Sequence, residues 1–226
     1  MAKLKWHDAG TRLYEYGVDR GVLFIPDDQG VYEEGHAWNG LTSVNESPSG
    51  AEASPQYADN IKYLTLFSAE EFGATIEAFT YPEAFGECDG TASPATGVYV
   101  GQQPRKSFGF SYRTMIGNDT VGEGLGYKLH LVYGAKAAPS EKSRSTVNDS
   151  PEATTFSWEL TTDPVQVPGL DKPTAHISIN STEVDSTDLA SFEAILYGDE
   201  ANEPRLPSPS EVIEHFGGEV TPENPG

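Results

Sequence analysis

A chain of 226 residues with 37% apolar and 11% aromatic content is long enough to bury one sizeable core and too hydrophobic to read as a disordered polymer. Its 35 acidic against 14 basic residues give a formal charge of −21, which excludes the basic footprint of an ordinary nucleic-acid binder and keeps free molecules apart. The excess is uneven: residues 1–148 hold 19 acids and 12 bases, whereas residues 149–226 hold 16 acids and, as bases, only Lys172 and Arg205.

The opening MAKLKWHDAG carries two lysines without an apolar stretch behind them, and no run approaches the roughly 20 apolar residues of a membrane span. Cytosolic synthesis without a membrane partner is therefore expected. From there the dominant period is two. Strands are predicted at Gly21–Ile25, Lys62–Phe67, Ala74–Tyr81, Gly97–Val100, Lys106–Met115, Gly126–Tyr133, Thr154–Thr161 and Ala175–Ile179, each bounded by Gly, Pro, Asn or Asp. Eight such runs describe a mainly β, antiparallel sandwich or barrel. Between the first and second lies WNGLTSVNESPSGAEASPQYADNIKYL, residues 38–64, with aromatics at both ends and a polar middle. It is expected to be a long loop, and loops of that length in compact domains usually act elsewhere.

In KSFGFSYRTM, Phe108, Phe110 and Tyr112 alternate with Gly109, Ser111 and Arg113; in GYKLHLVY, Leu129, Leu131 and Tyr133 oppose Lys128 and His130. Two half-polar strands joined by the Gly/Asn/Asp-rich IGNDTVGEGLG are expected to hairpin together. Helix is scarce. Ser186–Asp199 has a Ser/Thr start, apolar residues Leu189, Phe192, Ile195 and Leu196 at helical spacing, and Gly198 past its end. Ser208–Phe216 begins Ser-Pro and sets Val212, Ile213 and Phe216 on one side. The final GGEVTPENPG reads as a disordered end.

The chemistry-bearing motifs are sparse. His7, His36, His130, His176 and His215 are scattered, with no HExxH, CxxC or Asp-rich calcium loop; His130 and His176 fall on predicted strands, but nothing in the sequence joins them. The glycines of GEGLGY precede a strand and lack a P-loop lysine, and no GxSxG occurs. Acidic neighbours such as Asp27 and Asp28, Glu33 and Glu34, or Glu70 and Glu71 read as solvated faces. The Asn-x-Ser/Thr matches at Asn45, Asn118, Asn148 and Asn180 have no signal peptide to support them. The single cysteine, Cys88, leaves no disulfide framework and reads as a small residue of a turn. No enzyme, metal or cofactor is expected. The surplus is aromatic: Trp6, Trp38, Trp158 and eleven tyrosines suit a core, a subunit interface or a sugar-binding platform.

The runs WNGLTSVNESPSGAEASPQYADNIKYL, IEAFTYPEAFGECDG, GQQPRKSFGFSYRTMIGND, GYKLHLVYGAKAAPSEKSRSTVNDSPEATTFSWELTTDPV and LASFEAILYGDEANEPRLPSPSEVIEHF, in that order, resemble the major tail (tail tube) proteins of long-tailed non-contractile bacteriophages. They span about Tyr14 to Phe216. The resemblance implies a β-sandwich of the tail tube type with one flanking helix and a short C-terminal helix. It divides the chain into a sandwich domain, 1–199, and a C-terminal arm, 200–226. It further implies hexameric rings stacked into a virion tube, assembled in the host cytoplasm with tape-measure and terminator proteins, through which double-stranded DNA passes. Six-fold closure and stacking require two different interfaces per chain. The 38–64 segment then becomes a bridge to a neighbouring subunit, anchored by Trp38, Tyr57, Asn60 and Tyr63. A lumen presenting acids would repel DNA, whose phosphates recur every ~1.7 Å of axis; Arg113, Lys128 and His130 would each need acidic neighbours. Competing readings are a carbohydrate-binding sandwich, a sandwich-type glycoside hydrolase with two inward carboxylates, and, within phage tails, a terminator or a contractile-type inner tube protein.

Overall fold

A computed structural model describes residues 4–146, 149 and 153–219; Asn148 and the 220–226 part of the expected disordered end lie outside the described residues. In chain order the strands are β1 (Leu13–Ile25), β2 (Glu34–Trp38), β3 (Leu41–Glu46), β4 (Ser49–Gly50), β5 (Ala53–Ala58), β6 (Ile61–Phe67), β7 (Glu70–Glu71), β8 (Gly73–Ala78), β9 (Ala92–Ala95), β10 (Val98–Val100), β11 (Phe108–Asn118), β12 (Gly122–Ala137), β13 (Phe156–Thr162) and β14 (His176–Asn180). The helices are α1 (Phe85–Cys88), α2 (Ser186–Tyr197) and α3 (Pro209–His215). The fold is mainly β with antiparallel sheets, as the period-two runs predict.

The main sheet runs β2-β1-β11-β12-β13-β8-β3, with β14 on β12. Its first and last strands, β2 and β3, are separated in the chain by Asn39 and Gly40 alone, so the sheet must curl until its two ends are neighbours. Each of those ends has a hydrogen-bonded partner strand on one side only. Inside the curl lies a core of Trp38, Ile76, Phe85, Phe108, Phe110, Tyr112, Val132, Trp158 and Leu160. The aromatic rings meet mostly edge to face, Trp158 against Phe85 at 5.1 Å and against Trp38 at 5.6 Å, the arrangement that ring quadrupoles favour.

The outer face is not solvated. On β12, Leu129, Leu131 and Tyr133 alternate with His130 and Val132, and with Val22 and Phe24 of β1 they form a second core beneath Leu189, Phe192 and Leu196 of α2 and Val212 of α3. Along residues 108–112 and 129–133 the strands expected to be half polar are therefore covered on both sides: Gly109 and Ser111 are as buried as Phe108 and Phe110. Period two marks which residues share a face, but it does not say whether a face meets water or another layer.

Both long helices start on defined caps. The Asp185 carboxylate accepts from Thr187 N at 2.8 Å, and Ser208 and Glu211 form a reciprocal capping box. Between the two helices the chain is stitched back to the body. Arg205 N donates to Ile195 O, Leu206 N to Tyr32 O, and the Tyr133 hydroxyl to Pro207 O at 2.9 Å. A partly buried ion cluster, in which Asp89 accepts from Arg105 and Lys142, ties the segment after α1 to the loop beyond β12.

Candidate functional site

The segment expected as a loop is instead a long β-hairpin. β3 and β8 are its root inside the main sheet, β4 and β7 its neck, and β5 and β6 its distal arm. The ladder continues through the neck by Ser47 N to Gly73 O (2.8 Å) and Ala51 N to Ala69 O (3.3 Å). Gly50 sits there at φ +87°, and a Cβ on it would lie 2.1 Å from the Ala69 carbonyl oxygen. At the tip, Ala58 pairs with Ile61 around Asp59 and Asn60, both with positive φ (50° and 63°). Two left-handed residues in a two-residue turn match the right-handed twist of the flanking strands. Sequence reasoning missed this hairpin, although Asp-Asn between SPQYA and IKYLTLF is a turn signal.

The arm is apolar and uncovered. Tyr57 is 71% and Phe67 70% exposed, and Ile61, Tyr63, Leu64 and Leu66 are exposed beside them. The β5–β6 ladder shifts register between Gln56 and Tyr57, leaving Tyr63 without a cross-strand partner; Ile61, Leu64 and Leu66 then share one face and Tyr57 and Phe67 the other, so neither face of the arm is the polar one. A distance of eight or nine residues from neck to tip gives a reach of roughly 25–30 Å. A second small hairpin, β9–β10, exposes Val98, Tyr99 and Val100.

The four residues singled out as anchors separate in space and in role. Trp38 ends β2 in the core, 2% exposed, with its indole N–H donating to Thr80 O at 2.9 Å. Tyr57 and Tyr63 stand on the exposed arm, and Asn60 is its turn. Trp158 lies in the core as well, so neither of these two tryptophans offers a face to a sugar.

The charged residues flagged on the strands do have acidic partners. Arg113 makes a two-pronged pair with Asp19 at 2.6 and 2.8 Å, which holds the Asp19 carboxyl below its ordinary range. Lys128 pairs with Glu15. His130 lies 3.5 Å from Glu46 at the end of β3, and its Nδ1 is 3.3 Å from Nε2 of His176 on β14. Burial, reinforced by the neighbouring His176, pushes the His130 pKa down to about 4; burial lowers that of His176 as well. Glu46 also accepts from the Tyr112 hydroxyl at 2.7 Å. Cys88 is buried in α1, and desolvation drives its thiol up to about 12, far from a nucleophile's range. A groove of about 530 Å³ between β1, the β2–β3 connection and the end of α2 is lined by one carboxylate, that of Asp19.

No protein family and no curated protein matches the chain. Among solved structures it is similar to a chain of the PVC sheath–tube complex of an extracellular contractile injection system, in its extended state. The likeness has 14% identity and a TM-score of 0.33, over 71% of this chain and 88% of that one. So distant a likeness assigns no function to the chain.

Proposed function

We propose that the chain is a structural subunit of a phage-type tail tube, non-enzymatic, forming six-membered rings that stack around a conduit for double-stranded DNA. The observation that carries this reading is the arm: a two-stranded ribbon, apolar on both faces, projecting from a body whose own core is complete without it. An isolated hairpin is at best marginally stable in water, and apolar surface on this scale calls for a partner. A second copy supplies one, because a head-to-tail contact closes a ring and a second, non-closing contact stacks rings. The one-sided ends of the main sheet, β2 and β3, give such contacts further hydrogen-bonding edges. The ordered resemblance of five segments to major tail proteins supports this kind of assembly, with tape-measure and terminator proteins as further partners and the virion as destination. The chain's −21 charge, multiplied around a ring, suits a lumen that DNA traverses without adhering.

Negative-stain electron microscopy of concentrated protein, with light scattering alongside, tests the reading. Six-fold rings or hollow tubes are expected. Particles that stay monomeric in the presence of tail-initiation proteins, or that bind glycans as monomers, would overturn it.

A further inference from the structure

The geometry points to a divalent metal site formed by Glu46, His130 and His176, which fastens the root of the arm to the body. The three donor atoms all lie within 4.8 Å of one another. His130 Nδ1 is 3.3 Å from His176 Nε2 and 3.5 Å from Glu46 Oε1. Tetrahedral zinc, with bonds of ~2.0–2.2 Å to nitrogen and oxygen, sets its ligand atoms about 3.3–3.5 Å apart. Those two separations thus already match a common ion.

The surroundings are those of ligands held in place. The other ring nitrogen of His130, Nε2, is 3.0 Å from the Thr114 hydroxyl. With its proton donated there, Nδ1 presents a lone pair toward His176 and Glu46. Glu46 Oε1 takes its hydrogen bond from Tyr112, an outer-layer contact of the kind that orients ligating carboxylates. The His130 ring lies parallel to Tyr112 at 4.5 Å, and His176 lies against Phe72 at 4.7 Å, which limits rotation of both imidazoles. Two imidazoles and one carboxylate, with no thiolate, suit zinc and its borderline neighbours rather than calcium or magnesium. Glu46 is the exposed member of the three.

The placement gives the site a purpose. Its ligands come from β3, β12 and β14, and β3 is not hydrogen-bonded to either of the other two. Glu46 is the last residue of β3 before the neck, and Phe72 is where the chain returns from it. An ion there would fix the direction in which the arm leaves the body. The inference does not depend on tube formation, because it is tested on the free chain.

The test is titration of chelator-treated full-length protein with Co(II), followed by visible absorption, and with Zn(II), followed by calorimetry and thermal melting. One ion per chain is expected, with micromolar or tighter affinity, ligand-field bands of a four- or five-coordinate site, and a raised melting temperature. Glu46→Gln and His176→Gln should each weaken binding by more than about tenfold, the least that loss of an outer-layer partner costs. Glu46 is exposed, so Glu46→Gln decides the matter if His176→Gln fails to fold. Absence of binding at micromolar metal, or equal binding by both variants, would overturn the proposal and leave a hydrogen-bonded histidine pair.

Discussion

Strands β8 and β13 in the body, and β5 and β6 in the arm, are antiparallel pairs of the same lengths, six and seven residues. In the first pair Ile76, Ala78, Trp158 and Leu160 are buried; in the second every residue but Thr65 is exposed, although Ile61, Tyr63, Leu64, Leu66 and Phe67 are no less apolar. The difference lies in what stands opposite. The body strands face the rest of a curled sheet, whereas nothing among the described residues covers the arm. Burial is thus a property of what a strand faces as much as of its own side chains.

Perturbations of the body should register in the stability of the free chain, and those of the arm in assembly. Trp158→Ala removes a fully buried indole from the aromatic core and should cost about 3–5 kcal/mol, measured by urea unfolding. A loss below about 1 kcal/mol would mean that the core collapses around the gap.

Acid should act on the body next. His130 is held neutral in the folded chain with its pKa depressed to about 4, while the unfolded chain takes up that proton near the ordinary 6.5. The unfolded state therefore binds more protons between these values. The stability present above about pH 6.5 is progressively lost as pH falls toward 4, by about 1–3 kcal/mol. Unfolding curves in chelator across that range check this, and a flat profile would refute it.

Ser208→Ala breaks the capping box of α3 and should cost about 1 kcal/mol. The smallest effect on the free chain is expected in the arm. Tyr63→Ser with Phe67→Ser should change unfolding by no more than about 0.5 kcal/mol, yet abolish rings and tubes under the microscope. Replacing residues 51–69 by a tight turn should do the same. Unimpaired tubes from either variant would remove the arm from the assembly interface.

All eight period-two runs became strands, and both helical segments became helices with Leu189, Phe192, Leu196 and Val212 buried and Ile195 and Ile213 half-buried, because alternation and capping residues are local signals. β2, β3 and β5 were not legible. EGHAW and LTSVNE have weak alternation, and ASPQYA carries Pro55, so these segments are strands because Gly21–Ile25, Gly73–Ala78 and Ile61–Phe67 offer them ladders. The residues expected as anchors lie in different environments for the same reason. An aromatic beside a polar run looks alike whether it ends in the core, as Trp38 does, or on an exposed ribbon, as Tyr57 and Tyr63 do.

The sequence by itself determined the antiparallel β class, the acid excess, the helix starts and the alternation that assigns each residue to a face, because these depend on neighbours a few positions away. Only the tertiary structure decided which faces meet water, that residues 41–78 form one hairpin with an uncovered end, and that Glu46, His130 and His176 converge. Convergence of side chains on three separate strands depends on the curl and register of the whole sheet, which no local window contains.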